Sequence, residues 1–403
     1  MRIGIYFAAN KEQGGVYQYC VSFLESLNRI KGNKYIVMDT SGDVPNKFKK
    51  IKSFEIINLT KTLPLWLKGI SLLDPVLYKI CFMFNIPWVI AKWLKLLNYP
   101  LINSVNGQNL DLCFYLSSTD ICYLSKPPFV VTVYDLEHKL KPEFKEVSAG
   151  GNWERREFTF TNIAKFAYRT LVDSRIGKID FVRLYNSDPP KVIVLKYLTG
   201  AYLIKNPTKT QLKKVRTKFR LPKEYIFYPA RFWPHKNHRN LIYAVETAKN
   251  RGIDVNLILT GSKDAEFSTF SEIQSLVKSL GLIGKVKYLG YVNDLELSCL
   301  YKQAEAVVMP TFFGPTNIPV YEAWFMGVPV LYSNIRGCRE QLGNAGLLLD
   351  PNDPNDIGRK IIKIYKNKKL RDIYVARGTK RFNKWKEKNF RNSIKNVIDN
   401  FII

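Results

Sequence analysis

Residues 306–330 read AVVMPTFFGPTNIPVYEAWFMGVPV, and this stretch decides the fold. Ala306–Met309 is a short, valine-rich apolar run, the composition of a strand buried on both faces. Pro310 ends it, and Gly314 and Pro315 form a loop. Thr316 or Asn317 then stands where a helix is capped, with Pro319 in the first turn, where a missing N–H costs nothing. Glu322–Met326 continues the helix, and Pro329–Tyr332 starts the next strand. Strand, loop, helix and strand together make one unit of a parallel sheet.

The same unit repeats on both sides. In the second half, apolar runs at Tyr225–Tyr228, Asp254–Thr260, Lys285–Leu289 and Gly346–Leu349 alternate with helical spacing at Asn240–Asn250, Ser271–Leu280 and Asp294–Gln303. In the first half, Arg2–Ala8 leads through a Gly14-Gly15 turn into Val16–Arg29, where Tyr17, Cys20, Phe23, Leu24 and Leu27 recur at helical spacing. Tyr35–Met38, Pro128–Tyr134, Thr170–Asp173 and Lys191–Leu195 read as further strands, and Asn152–Ala167 as a helix. The pattern predicts two doubly wound α/β domains facing each other across a cleft. The predicted divisions are a first domain over 1–195, a polar, basic linker over 196–223 and a second domain over 224–380. A basic terminal helix over 381–403 is placed to cross back to the first domain.

Composition narrows the partners. Of 403 residues, 46% are hydrophobic and 13% aromatic, which excludes a mainly disordered chain. The net charge of +28 favours an anionic partner: nucleic acid, an acidic membrane or a phosphorylated small molecule. No helix-turn-helix, zinc-finger or RNP-type signature supports nucleic acid. The six cysteines are scattered and suit a reducing compartment. The N-terminus reads as a first strand rather than a signal peptide. Lys61–Asn98 departs from the α/β scheme: Trp66, Trp88 and Trp93 stand among leucines, with five lysines against one aspartate. Such a mixture fits a helix lying on anionic lipid, and equally a buried helix with snorkelling lysines. Its longest apolar run contains Asn85 and Pro87 and is too short to span a bilayer.

The helix start near Asn317 and Ile318 would offer N–H groups to a phosphate, and Glu322, one turn in, would suit the hydroxyls of a ribose. A plain strand-to-helix turn is the alternative. After the first strand of the second half comes Tyr228-Pro-Ala-Arg231-Phe-Trp-Pro-His-Lys236-Asn-His238. Arg231 and Lys236, placed at a strand's carboxyl end, would neutralise a diphosphate. A solvated basic loop is the other reading. His235 and His238 are spaced as a metal pair, but no third ligand follows, so no metal is assigned.

Together these residues resemble the nucleotide-sugar-binding half of family 4 retaining glycosyltransferases (glycosyl transferases group 1) of GT-B fold, which include mannosyl-, glucosyl- and rhamnosyl-transferases. The carriers are Arg231 and Lys236, Asn317-Ile318-Pro319-Val320-Tyr321-Glu322-Ala323, Gly327-Val328-Pro329-Val330, Glu340 to Gly346, and Asp350-Pro351. In the first half they are Gly14-Gly15, Tyr134-Asp135-Leu136-Glu137-His138 with Pro142-Glu143-Phe144, and Val172-Asp173-Ser174. There are two departures. Gly314 stands where the family has the first Glu of E-x7-E, and Tyr134 where it has the His of H-D.

The resemblance implies two Rossmann-like domains and transfer of a hexosyl residue, mannose or rhamnose type, from a nucleotide-diphospho-sugar to a lipid-linked or envelope glycan. It implies retention at the anomeric carbon, by front-face attack without an enzyme nucleophile, and no cofactor or essential metal. Arg231 and Lys236 would hold the diphosphate, Asn317 and Ile318 a phosphate, and Glu322 the ribose. Gly14 and Gly15 would let backbone approach the sugar-phosphate, and Asp135 and His138 would contact the sugar or acceptor. The alternatives are a plain turn at Gly14-Gly15, a strand-end cap at Asp135, a packed imidazole at His138 and a helix-surface cap or pair at Glu322. The protein would be cytoplasmic and peripheral on the inner face of the cell membrane. A nucleotide-sugar-binding protein without turnover is the alternative that the two departures suggest.

Overall fold

The computed structural model describes residues 1–59, 80, 83–84, 99–199, 202–264 and 266–401. Apart from residues 80, 83 and 84, the expected membrane-contact segment Lys61–Asn98 lies outside them. The chain divides into two compact units, one made of Met1–Lys196 with Glu387–Ile403, the other of Tyr197–Lys386.

The first unit is built on seven parallel strands: β1 (Arg2–Phe7), β2 (Lys34–Asp39), β3 (Phe54–Asn58), β4 (Leu112–Tyr115), β5 (Phe129–Val133), β6 (Arg169–Val172) and β7 (Val192–Val194). Their order is β3-β2-β1-β4-β5-β6-β7. β1 and β4 are neighbours, with Tyr6 opposite Tyr115, so the sheet's order reverses between them. β3 and β4 are additions to the sequence reading. Apolar runs of four or five residues carry no period that tells strand from helix.

The second unit holds six parallel strands: β8 (Ile226–Pro229), β9 (Leu257–Thr260), β10 (Val286–Tyr288), β11 (Ala306–Met309), β12 (Val330–Ser333) and β13 (Leu347–Leu349). The order is β10-β9-β8-β11-β12-β13, with the switch point between β8 and β11. The central strands are buried on both faces, as their continuous apolar sequences require. Both sheets therefore confirm two Rossmann-like α/β domains.

Two divisions differ from the sequence reading. Residues 209–218, expected in a linker, form a helix of the second unit (Lys209–Lys218). Thr208 and Gln211 close a capping box at its start, and Arg216 donates to Gln303 at 2.9 Å. The helix Lys368–Phe382 also belongs to the second unit, and the chain rejoins the first only at Glu387. There the helix Glu387–Asp399 buries Phe390 against Tyr19 and Phe23 of the helix Gly15–Leu27, while Arg29 pairs with Glu387 at 2.9 Å.

Candidate functional site

In the second unit two loops rise at the switch point, one after β8 and one after β11, and they are fastened together. The Phe312 N–H and the Thr311 hydroxyl donate to the His235 carbonyl at 2.8 and 3.1 Å. The His235 and Phe313 rings stack with centroids 3.9 Å apart. Asn237, at φ 58°, ends the Pro234–Lys236 turn and starts the helix His238–Asn250, and its Nδ2 donates to the carbonyls of Pro310 and Pro351, each at 2.8 Å. Asparagine tolerates this left-handed backbone better than other side-chain-bearing residues.

This frame brings Lys236 and Asn317 together. Lys236 Nζ donates to Asn317 Oδ1 at 3.4 Å, and the Lys236 carbonyl accepts from Tyr228 at 2.9 Å. Asn317 caps the helix Ile318–Met326 by backbone geometry and makes further bonds of its own. Its Nδ2 donates to the Gly314 carbonyl at 2.9 Å and to the Tyr332 hydroxyl at 2.5 Å. Gln341 clamps its backbone, accepting from its N–H at 2.9 Å and donating to its carbonyl at 2.8 Å. The expected pair of phosphate-binding N–H groups is thus reduced to Ile318, because Gln341 takes that of Asn317. Gly314 has φ 92°, and a Cβ there would come within 3.0 Å of Asn317 Nδ2. A side chain at the position of the missing Glu would therefore be strained by that φ and would crowd the Asn317 amide.

Glu322 also differs from expectation. The helix turns it inward, where it is buried and accepts hydrogen bonds from Tyr202 on one oxygen and Tyr301 on the other. Burial pushes its carboxyl up to about 8. Arg231 lays its guanidinium over the Trp233 ring, 5.3 Å from the centroid. His238 is a packing residue. It stacks on Phe232 at 4.3 Å, both ring nitrogens lack hydrogen-bond partners, and burial, with Lys236 and His235 nearby, holds it down at about 3. Among the described residues no three His, Cys, Asp or Glu side chains gather as metal ligands.

In the first unit, Gly14 has φ 57° and caps the helix that Gly15 begins. A Cβ at Gly14 would meet nothing within 4 Å of the protein, and the positive φ is what a glycine supplies to the fold there. A pocket opens beyond β4 and β5, lined in part by Thr119, Asp120, Tyr134, Asp135, Arg155 and Arg156. Asp135 accepts from Arg156 and, at 3.0 Å, from the Glu137 N–H. Burial opposes its charge, but Arg156 and that N–H outweigh it and hold the carboxyl below its ordinary range.

His138 does not line this pocket. It is fully buried, with Nε2 2.9 Å from Glu157 and 3.1 Å from the Tyr185 hydroxyl. Lys139 holds the other Glu157 oxygen at 2.7 Å. The expected contact of His138 with sugar or acceptor is corrected to a structural one, since apolar neighbours such as Phe160 draw the ring inward. Sequence reasoning missed Tyr202, Tyr301, Tyr332, Gln341, Arg155 and Arg156. Apart from Arg155, which lines the pocket, each lies on a different element from the residue it touches, so no local spacing signals it.

Residues 209–381, within the second unit, match the family described as Glycosyl transferases group 1. O-antigen chain mannosyltransferase B of Escherichia coli is 29% identical over 252 residues, 62% of this chain and 64% of that protein. O-antigen chain mannosyltransferase RfbU of Salmonella typhimurium is 31% identical over 44% of this chain and 45% of its own. These matches span less than two thirds of either relative's length. Among solved structures, Anabaena HepE in complex with UDP-glucose is 15% identical with a TM-score of 0.73, covering 99% of this chain and all of that one. WaaG, a glycosyltransferase involved in lipopolysaccharide biosynthesis, is 14% identical with a TM-score of 0.71, each chain fully covered. At these identities the structures establish the fold.

Proposed function

We propose that this chain is a retaining glycosyltransferase that moves a hexosyl residue of mannose type from a nucleotide-diphospho-sugar to a lipid-linked O-antigen or related envelope glycan. The observation that carries this reading is the meeting of Lys236 with Asn317 at the β8/β11 switch point, inside a group 1 glycosyltransferase domain. The two O-antigen chain mannosyltransferases among the relatives support the mannose and O-antigen parts. When the anomeric C–O bond breaks, negative charge collects on the departing diphosphate. Fixed donors that meet it lower the barrier. Lys236 supplies an ammonium, Arg231 a second cation and Ile318 an N–H. These groups take the charge-neutralising role, with no essential metal or cofactor. Glu322 reaches a ribose only when Tyr202 gives up its hydrogen bond. The acceptor hydroxyl belongs at the Asp135 pocket, and the enzyme works on the inner membrane face.

The test is turnover with membrane extracts and a panel of nucleotide-sugars. Lys236→Ala is expected to lower the rate at least about 100-fold, in the range for loss of one charge-stabilising donor, with an unchanged circular dichroism spectrum. Near-wild-type rates would sink the assignment. A second reading, donor binding without turnover, draws on Gly314 and Tyr134 standing where the resembled family has a Glu and a His. Nucleotide-sugar binding with no transfer or hydrolysis on any acceptor would favour it.

A further inference from the structure

The Asn317 amide has one orientation that satisfies its surroundings. The Gly314 carbonyl and the Tyr332 hydroxyl stand on its nitrogen side at 2.9 and 2.5 Å. Tyr332 spends its own hydrogen on the Gly314 carbonyl, so its oxygen is left to accept from Asn317. With Nδ2 committed to two acceptors, Oδ1 must face Lys236 Nζ. A flipped amide would set an NH2 group against an ammonium, donor against donor. Tyr332 is itself buried. It is 1% exposed, on a central strand, with its backbone in register with Met309 of β11.

We propose that Tyr332 is a positioning residue of the donor site: its hydroxyl fixes the Asn317 amide, and the amide carbonyl sets where the Lys236 ammonium stands. This rests on the reading of Lys236 as a ligand of the donor diphosphate. Gly314 completes the device. At φ 92° it presents its carbonyl to both partners, and the absent Cβ leaves room for Asn317 Nδ2. A side chain at Gly314 would crowd that amide.

The experiment is a double-mutant cycle on the full chain, read by calorimetric titration with UDP, GDP, ADP and dTDP, each alone. Tyr332→Phe removes one oxygen and keeps the ring. It is expected to weaken binding of whichever nucleotide the wild type takes by about 3- to 10-fold, the worth of one neutral hydrogen bond. In a Lys236→Met background the same change should have less than about a 2-fold effect, because the link it acts through is gone. In turnover, the donor KM should rise by more than kcat falls. Equal weakening in both backgrounds would mark Tyr332 as a packing residue and overturn the proposal, as would no weakening at all. Should Tyr332→Phe fail to fold, Asn317→Leu breaks the link from its other end and enters the same cycle with the same deciding outcomes. Unaltered binding in Lys236→Met alone, or a wild type that binds none of the four nucleotides, overturns the donor-site reading and this proposal with it.

Discussion

At Glu322 a carboxylate is turned into the body of the second unit, where burial raises its pKa to about 8 and two tyrosine hydroxyls reach its oxygens. An acid whose folded pKa lies above its unfolded value, near 4.5 here, binds more protons folded than unfolded between the two. Its contribution to stability is complete below about pH 4.5 and is lost as pH rises toward 8. Urea midpoints measured across that window should fall more steeply for wild type than for Glu322→Gln, and parallel curves would refute the argument. Glu157 has the opposite sign. Burial opposes its charge, but His138, Lys139 and Tyr185 together hold its carboxyl at about 2, so its contribution is lost only as pH falls from about 4.5 toward 2. At this scale the sequence was readable where a residue's chemistry follows from its own position. Lys236 and Asn317 could be placed by motif and strand end. For His138 and Glu322 the sequence left a ligand contact and a structural role both open, because Glu157, Tyr185, Tyr202 and Tyr301 come from other segments.

Among the elements, the terminal helix Glu387–Asp399 shows how packing selects a partner. Its buried stripe of Phe390, Ile394, Val397 and Ile398 repeats at helical spacing. Phe390 meets the rings of Tyr19 and Phe23 edge-on, each at 6.1 Å. Truncating a buried phenylalanine removes its transfer energy and leaves a cavity, so Phe390→Ala should destabilise the first unit by about 3–5 kcal/mol. Denaturant unfolding followed by the near-ultraviolet signal would check this, and a loss below about 1 kcal/mol would mean that the helix contributes little. The amphipathic stripe is plain in the sequence. The element that covers it is not, since the helix Gly15–Leu27 is hundreds of residues earlier. The helix Lys209–Lys218 makes the converse point: its polar sequence suggested a linker, yet Val215 and Leu212 packed on the core, a capping box and the Arg216–Gln303 hydrogen bond seat it.

At the scale of the whole molecule the +28 charge is the outstanding property. From Asp356 to Ile403 there are 15 Lys and Arg against 4 Asp and Glu, and among the described residues no helix is long and apolar enough to cross a membrane. If the protein works at an anionic lipid surface, it should bind vesicles containing anionic lipid at low salt and release at high salt, since screening shortens the reach of surface charge. Equal binding to neutral vesicles in a flotation assay would count against this. By itself the sequence determined two parallel α/β sheets, the loops at their strand ends and the cations offered there, because buried strands, helix caps and glycine turns are written in contiguous residues. Only the tertiary structure decided where those side chains lie and what they touch. Asn317 became a hub, Glu322 and His138 went inside, and Tyr332 and Gln341 entered the site. Hydrogen bonds and burial are set by neighbours in space, and a parallel sheet makes neighbours of strands that lie far apart along the chain.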